Sequence, residues 1–224
     1  MDPHPEPVDP RPEPDDPRAQ SVDRPRVILA SASPARLRTL RDAGLQPEVI
    51  VSGVDEDAVR AATVPELVAR LAELKTEAVS RLVGQPSRPT VIIGCDSLLE
   101  LDGAGHGKPS DEADAVRRWR RMSGRSGVLH TGHHVTLRRG DRTTTSAAVA
   151  ATTVQFAELD QAEIDAYVAT GEPLNVAGAF TIDGLGGAFV TRIEGDHHNV
   201  VGISLPLLRR MLAELGISWT GLWP

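Results

Sequence analysis

The sequence is poor in cysteine and in aromatic residues, and both shortages limit what the chain can be. Cys95 is the only cysteine among 224 residues, so no disulfide can form within the chain, which fits a reducing compartment. Aromatic residues make up 3% of the sequence, so we expect a core built from valine, leucine, isoleucine and alanine. A chain of this length buries roughly 70% of its unfolded surface, which suits one large domain or two small lobes that share a site.

The sequence also lacks an excess of positive charge and any long apolar run. The formal net charge is −7, which argues against a nucleic acid or an anionic membrane as partner. The longest apolar runs have the length of strands, far below the roughly 20 residues of a membrane-spanning helix, and no signal-peptide pattern is visible. We therefore expect a cytoplasmic protein, in which any polyanion is bound by a local cluster of basic side chains.

Proline and charged residues dominate the start of the chain. Prolines stand at positions 3, 5, 7, 10, 12, 14 and 17, and a segment with so little apolar surface to bury is expected to be disordered or extended. The sequence thus predicts an acidic, proline-rich tail over residues 1–24 and one domain over residues 25–224. A solvated tail without specific function is the simpler interpretation, and partner binding is the alternative.

Helical and strand patterns alternate along the rest of the chain. The predicted strands cover residues 27–31, 48–54, 90–95, 128–138, 147–156 and 188–193. A first helix is predicted to begin after Ser33. Further predicted helices cover residues 65–83, 111–122, 160–169 and 204–215. This order predicts an α/β fold with a mixed sheet and flanking helices.

Asp96 is the sharpest single feature. It directly follows the apolar run TVIIGC (90–95), so it is expected at a carboxyl end of the sheet, where open α/β sheets bind ligands. A carboxylate there can hold a divalent metal or take a proton from water, and Glu56 can contribute a second carboxylate. The alternative is an aspartate that only caps a turn.

A second group of residues suits an anion. Ser31 and Ser33 lie where the first strand meets the first helix, and a helix N-terminus favours negative charge. Arg36 adds a guanidinium suited to phosphate, and Lys75 and Lys108 are further candidates. The alternatives are an ordinary capping turn and solvated basic side chains.

Two other chemistries are not favoured by the sequence. His130, His133 and His134 lie close together, as do His197 and His198, but no cysteine completes a zinc-ligand set. On one strand, residues 130 and 134 share a face while 133 points away. Cys95 sits inside an apolar strand, where thiols are usually inert.

Several short segments together resemble the Maf family, and most closely its actinobacterial branch. They occur in the family's order: SASPAR (31–36), SGVDE (52–56), GCDS (94–97), GKP (107–109), TG (131–132), AYVATGEP (166–173), AGAF (177–180), IEGD (193–196) and NVVG (199–202). The likeness covers about residues 26 to 216. It implies a mixed α/β fold with a central cleft, similar to that of inosine-triphosphate pyrophosphatases.

The resemblance also implies an activity. Maf proteins hydrolyse nucleoside triphosphates to the monophosphate and pyrophosphate with a divalent metal, Mg²⁺ or Mn²⁺, and often form homodimers. The family is also linked to septum formation and arrest of cell division, so a non-enzymatic, nucleotide-binding regulator of division is the alternative. Asp96 matches the family's catalytic carboxylate, which is assigned as proton acceptor. The matching polar positions of the cleft are Ser33, Arg36, Glu56, Lys75 and Lys108.

Three positions match those at which the family selects the base: Ala35, Ser97 and Asp183. The subset that cleaves thymidine and uridine triphosphates typically has Arg, Thr and Gln there. An ionised aspartate only accepts hydrogen bonds, so Asp183 favours guanine and, less strongly, cytosine over uracil and thymine. The alternative is that Asp183 caps the turn at Gly184. Other departures from the family pattern are Gly127, Asn175, Val176 and Ser204.

Overall fold

The computed structural model describes residues 24–224, so the predicted tail lies outside the described residues apart from Arg24. The strands are β1 (Arg26–Leu29), β2 (Glu48–Val49), β3 (Thr90–Leu101), β4 (Ala104–His106), β5 (Ser126–Arg139), β6 (Arg142–Phe156) and β7 (Val190–Glu194). The α-helices are α1 (Pro34–Asp42), α2 (Val64–Val83), α3 (Glu112–Met122), α4 (Gln161–Ala169), α5 (His197–Val201) and α6 (Leu205–Glu214). Within this described part, no helix has the length and apolar character needed to cross a membrane.

All seven strands form one sheet in the order β2-β1-β3-β5-β6-β7, with β4 paired to β3. Strand β1 runs parallel to β2 and β3, whereas the pairings of β3 with β4 and β5, of β5 with β6, and of β6 with β7 are antiparallel. The predicted mixed α/β sheet is therefore confirmed. The predicted strand at 48–54 was wrong in length, because only Glu48 and Val49 pair with β1.

Helices cover both faces of the sheet. Helix α2 packs on one face against Ile28, Ile92 and neighbouring side chains. On the other face, two separate apolar clusters form at opposite ends of the long strands. The first cluster contains Leu40 from α1 and Leu208 from α6, and the second surrounds Trp119 from α3.

The few aromatic residues are concentrated in the second cluster. Trp119 makes edge-to-face contacts with Phe156, Tyr167 and Phe189, at centroid distances of 5.7, 5.4 and 5.8 Å. The indole N–H of Trp119 donates to the carbonyl oxygen of Ala179 at 2.8 Å. The expectation of an aliphatic core holds for the first cluster but was wrong for the second, because the scarce aromatic side chains are gathered rather than dispersed.

A gap in the strand pairing lies between the two clusters. Residues 90–93 of β3 pair with β1, and residues 99–101 pair with β4. Between them, residues 94–98 have β5 on one side and no strand among the described residues on the other. The chain that follows β1 turns away at this point, so polar side chains from α1 and α2 can reach the unpaired edge of β3.

Candidate active site

Two glycines bring α2 unusually close to the sheet. A Cβ atom on Gly94 of β3 would lie 2.0 Å from Thr76 Oγ1 and 2.5 Å from the Ala72 carbonyl oxygen. A Cβ atom on Gly132 of β5 would lie 2.1 Å from the Val68 carbonyl oxygen. Because neither position has room for a side chain, the helix backbone rests directly on the sheet.

This close approach places Lys75 of α2 against Asp96. The Nζ atom of Lys75 lies 2.5 Å from Asp96 Oδ1 and 2.6 Å from Glu56 Oε1. Lys75 and Asp96 are both buried, whereas Glu56 lies in an exposed turn. One ammonium group is therefore shared by two carboxylates that are 40 residues apart in the sequence.

The expected strand end before Asp96 was wrong. Strand β3 continues through Asp96 to Leu101, because Asp96 pairs with Gly132 and the LLEL segment (98–101) goes on alternating between faces. Asp96 nevertheless lies just beyond the last parallel pair, Leu29 with Ile93. Its carboxylate thus occupies the gap in strand pairing rather than a loop.

Burial is the main influence on the Asp96 carboxyl group. It raises the pKa of Asp96, and the neighbouring charge of Glu56 acts in the same direction. The positive charges of Lys75 and Arg36 oppose this rise, but the net direction is upward. A carboxyl group with a raised pKa is a better proton acceptor than an ordinary surface aspartate.

Arg36 forms a second polar centre, on the opposite face of β3. Its guanidinium donates to the Gly202 carbonyl oxygen at 2.7 Å, to Ser31 Oγ at 3.0 Å and to Ser97 Oγ at 2.9 Å. The side chain is buried, and it forms no ion pair with any carboxylate of residues 24–224. A buried guanidinium that binds only neutral oxygens retains charge and N–H donors for an anion.

The two predicted serines hold the turn that carries Arg36. Ser33 is the N-cap of α1, and its Oγ accepts the Arg36 backbone N–H at 3.3 Å. The Ser31 Oγ accepts the Ser33 backbone N–H at 3.2 Å. The capping interpretation therefore holds for Ser33, and the capped turn carries Arg36, whose guanidinium reaches Ser97 in the gap.

The remaining predicted residues are not joined to these two centres by direct side-chain bonds. Lys108 is exposed in the loop after β4, where the neighbouring Gly107 carbonyl oxygen accepts the Gly178 backbone N–H at 3.0 Å. Ala35 is half-buried on α1. Among the candidates for base selection, only Ser97 contacts the Arg36 centre.

Asp183 takes part in an ion pair that the sequence did not predict. Its Oδ2 accepts from the Arg38 guanidinium of α1 at 2.8 Å, and its Oδ1 accepts from the Thr181 hydroxyl group. No bond to the Gly184 N–H is formed, so the capping alternative does not describe these contacts. Arg38 and Ala35 both belong to α1, so the ion pair joins Asp183 to the helix that carries Ala35.

Sequence reasoning missed the partners that lie behind Ser97. Thr131 Oγ1 lies 2.9 Å from Ser97 Oγ and 3.3 Å from the Asn199 carbonyl oxygen. The buried Asn199 side chain donates to Thr152 Oγ1 and to the Leu129 carbonyl oxygen, at 3.1 Å each. The TG and NVVG segments carried the signal, but short polar motifs do not reveal which distant strands they join.

The histidines of β5 have separate structural surroundings. Burial lowers the pKa of His133 to about 4. The neutral ring donates from Nδ1 to the Thr131 carbonyl oxygen at 3.0 Å and accepts the Ser204 backbone N–H on Nε2 at 2.8 Å. His130 Nε2 lies 2.8 Å from Glu100 Oε2.

Cys95 is buried in β3, and burial raises the pKa of its thiol to about 11. This argues against a nucleophilic thiolate.

The Asp96 centre has the donor set expected for a hard divalent cation. Asp96 Oδ1 and Glu56 Oε1 converge on one positively charged atom, Lys75 Nζ. Carboxylate oxygens are the protein ligands that Mg²⁺ and Mn²⁺ prefer. Two carboxylates that converge in this way are a donor set that fits such a metal.

Comparison with known proteins shows which family the sequence matches. The family model described as Maf-like protein matches residues 26–215. A relative from Salinispora tropica, named nucleoside triphosphate pyrophosphatase, is 60% identical over 88% of this chain and 87% of its own. Relatives of the same name from Cutibacterium acnes and Streptomyces coelicolor are 52% and 53% identical, over 88% and 89% of this chain and 93% and 95% of their own.

Among solved structures, the Ham1 protein of Staphylococcus aureus is similar with a TM-score of 0.45 and 16% identity, over 85% of this chain and 99% of its own. The match to the Maf model spans nearly all the described residues. Together with relatives of this identity and coverage, it shows that the chain belongs to the Maf family.

Proposed function

We propose that this protein hydrolyses nucleoside triphosphates to nucleoside monophosphates and pyrophosphate. The observation that carries the proposal is a buried carboxylate, Asp96, that pairs with Lys75 on one face of β3, while the buried Arg36 guanidinium lies on the other face. The names of the relatives from three actinobacteria support the same activity.

Binding of the triphosphate requires counter-charge in an acidic protein. Arg36 is the strongest candidate, because it is buried and makes no ion pair with a described carboxylate. The N-terminus of α1 at Ser33 adds backbone N–H groups and a favourable dipole. Lys75 and the exposed Lys108 supply further positive charge, Lys75 by exchanging a carboxylate for a phosphate oxygen.

In the reaction, a water oxygen attacks the α-phosphorus, the bond from that phosphorus to the bridging oxygen breaks, and pyrophosphate leaves. In this proposal, Asp96 accepts the proton of the attacking water. Asp96 and Glu56 are the residues that would hold Mg²⁺ or Mn²⁺. When bound, such a metal neutralises charge on the phosphate oxygens and on the leaving pyrophosphate.

The two roles of Asp96 can be separated experimentally. Binding of Mn²⁺, followed by electron paramagnetic resonance, should weaken in Asp96→Asn if Asp96 is a ligand. It should stay unchanged if Asp96 is only a base. Glu56→Gln serves as the matched comparison, because it alters the other carboxylate at the same cation position.

Turnover of a nucleotide panel tests the proposed function. Purified protein is incubated with the common ribo- and deoxyribonucleoside triphosphates and Mg²⁺ or Mn²⁺, and the products are identified by phosphorus NMR. We expect monophosphate and pyrophosphate, no activity in EDTA, and recovery with either metal. Release of orthophosphate instead of pyrophosphate would contradict the proposed reaction. Tight nucleotide binding without turnover would favour the regulator alternative.

Two broader properties are part of the proposal. We expect the protein to act in the cytoplasm and to form a homodimer. Size-exclusion chromatography with light scattering measures the second property, and a monomeric mass at micromolar concentration would contradict it.

A further inference from the structure

A second group of metal-ligating side chains lies at the start of α5 and shares no residue with the Asp96 centre. The ligand atoms of Asp196, His197 and His198 all lie within 4.8 Å of one another. The two imidazole rings have centroids 3.8 Å apart and are tilted by 39°. Asp196 Oδ1 lies 3.3 Å from His198 Nδ1. Among residues 24–224, this is the one group of three histidine, cysteine or acidic side chains whose ligand atoms converge in this way.

The Asp196 carboxylate is held in place but incompletely bonded. Its Oδ1 accepts the His198 backbone N–H at 3.0 Å, as the N-cap of α5. Its Oδ2 is buried and finds no donor among the described residues. Buried acceptors without a partner are rare in folded proteins, so the unpaired Oδ2 atom indicates an absent donor or cation beside this carboxylate.

We propose that Asp196, His197 and His198 bind a late first-row divalent cation, with Zn²⁺ as the representative ion. Imidazole nitrogen and carboxylate oxygen bind zinc at about 2.0–2.2 Å, so ligand atoms within 4.8 Å need only small side-chain rotations to converge. Mg²⁺ prefers oxygen ligands alone, and two imidazoles disfavour it. The expectation of no zinc site rested on the missing cysteine, and here a carboxylate takes that place.

The site has an accessible side. His198 lines a cavity of about 590 Å³, together with Trp219, Trp223 and Arg209. Three protein ligands leave one position of a tetrahedral zinc ion open. Water or a small anion entering from this cavity completes the coordination, and Arg209 favours the anion.

Direct binding measurements on the full chain test the site. The metal-free protein is titrated with zinc chloride by calorimetry in a non-coordinating buffer, and the absorption bands of bound Co²⁺ report the ligand field. We expect one zinc ion per chain, with affinity at least about tenfold lower in His197→Ala and in His198→Ala. Asp196→Asn should also weaken binding while keeping the cap, because asparagine is an equally good N-cap residue.

His106→Ala is the matched control, since His106 lies outside the cluster and should bind zinc like the parent. The proposal is overturned if the parent binds no zinc, or if zinc affinity is the same in His197→Ala and His198→Ala as in the parent. Turnover with Mg²⁺ should be unchanged in His197→Ala, which separates this site from the proposed catalytic one.

Discussion

Asp96 is a buried carboxylate that shares its cationic partner with Glu56. We expect Asp96→Asn to reduce kcat by at least about 10²-fold, because a general base or metal ligand is worth at least that much. The fold should survive, because the Lys75 ammonium group keeps Glu56 as its partner. Steady-state rates and a thermal melt measure both outcomes.

Glu77→Gln is the control for the Asp96 variant, since Glu77 is an exposed carboxylate on α2. Its rate should match that of the parent. An Asp96→Asn protein that keeps more than a third of the parental rate would show that Asp96 does not carry the chemistry.

The raised pKa of Asp96 predicts a particular dependence of rate on pH. A base works only when ionised, so kcat/KM should fall as the pH drops through the raised pKa, above the value of about 3.9 for an ordinary aspartate. The negative charge of Glu56 contributes to this rise. Glu56→Gln should therefore move the acid limb of the kcat/KM profile to lower pH, whatever its effect on the maximal rate.

The raised pKa of Asp96 also makes the stability of the fold depend on pH. Burial makes the ionised form of Asp96 less favourable in the folded state than in the unfolded state. This contribution therefore destabilises the fold at neutral pH, and it is relieved as the pH falls through the folded-state pKa.

The kcat/KM profile tests the charge assignment. An acid limb of that profile that stays in place, or moves to higher pH, in Glu56→Gln would contradict it.

Base preference is a further property that depends on a single residue. Asp183 keeps free acceptor lone pairs beside its bonds to Arg38 and Thr181, so we expect guanine- or cytosine-type triphosphates to exceed dTTP and UTP in kcat/KM. Asp183→Gln supplies a donor as well and should shift this ratio roughly tenfold toward dTTP and UTP. The ratio across a nucleotide panel measures it, and a tenfold preference of the parent for dTTP or UTP would end the hypothesis.

At the scale of elements, the contact between α2 and the sheet decides whether Lys75 reaches Asp96. Gly94→Ala places a methyl group against Thr76 Oγ1 and the Ala72 carbonyl oxygen, so α2 has to move outward. Overpacking of this kind costs typically about 1–3 kcal/mol, or a few degrees per kcal/mol in Tm for a chain of this size. We expect activity to fall further than stability alone explains.

Gly221→Ala is the control for this prediction. Its added Cβ would lie 3.7 Å from the nearest side-chain atom, an ordinary contact, and its φ needs no glycine. Thermal melts and rates of the two variants should differ clearly. A Gly94→Ala protein with parental Tm and rate would show that the contact between α2 and β3 can accommodate a methyl group.

Much of the element order could be predicted from the sequence, because apolar periodicity and caps are local signals. The Ser33 cap, helix α2 and the apolar start of β3 are such cases. The end of β3 was misjudged, because a polar residue resembles a strand end unless its pairing with Gly132 is known.

The candidate site was predictable only in part. Asp96, Lys75 and Glu56 were identified by residue type and resemblance, and the structure brings them together. Because the predicted strand ended at residue 95, the sequence did not show that Asp96 and Ser97 lie within β3, with Asp96 toward α2 and Ser97 toward Arg36. Nor could it show that Arg38 meets Asp183, since that contact joins residues 145 positions apart.

At the scale of the whole molecule, strands β3, β5 and β6 contribute to both apolar clusters on the same face of the sheet. Val91 and Leu99 of β3 belong to different clusters, and so do Leu137 and Leu129 of β5. The polar residues around Arg36 and Ser97 lie between them. The two halves are thus joined by three continuous strands rather than by a flexible linker.

This continuity has a consequence for cooperativity. Neither cluster can melt without pulling strands out of the other, so heat should unfold residues 24–224 in one transition, with equal calorimetric and van't Hoff enthalpies. Trp119 reports on the second cluster and Trp219 packs against the first. Variants that keep Trp119 or Trp219 as the single tryptophan, with Trp223 also replaced, should give coincident fluorescence melts. Two separated midpoints would reveal independent halves.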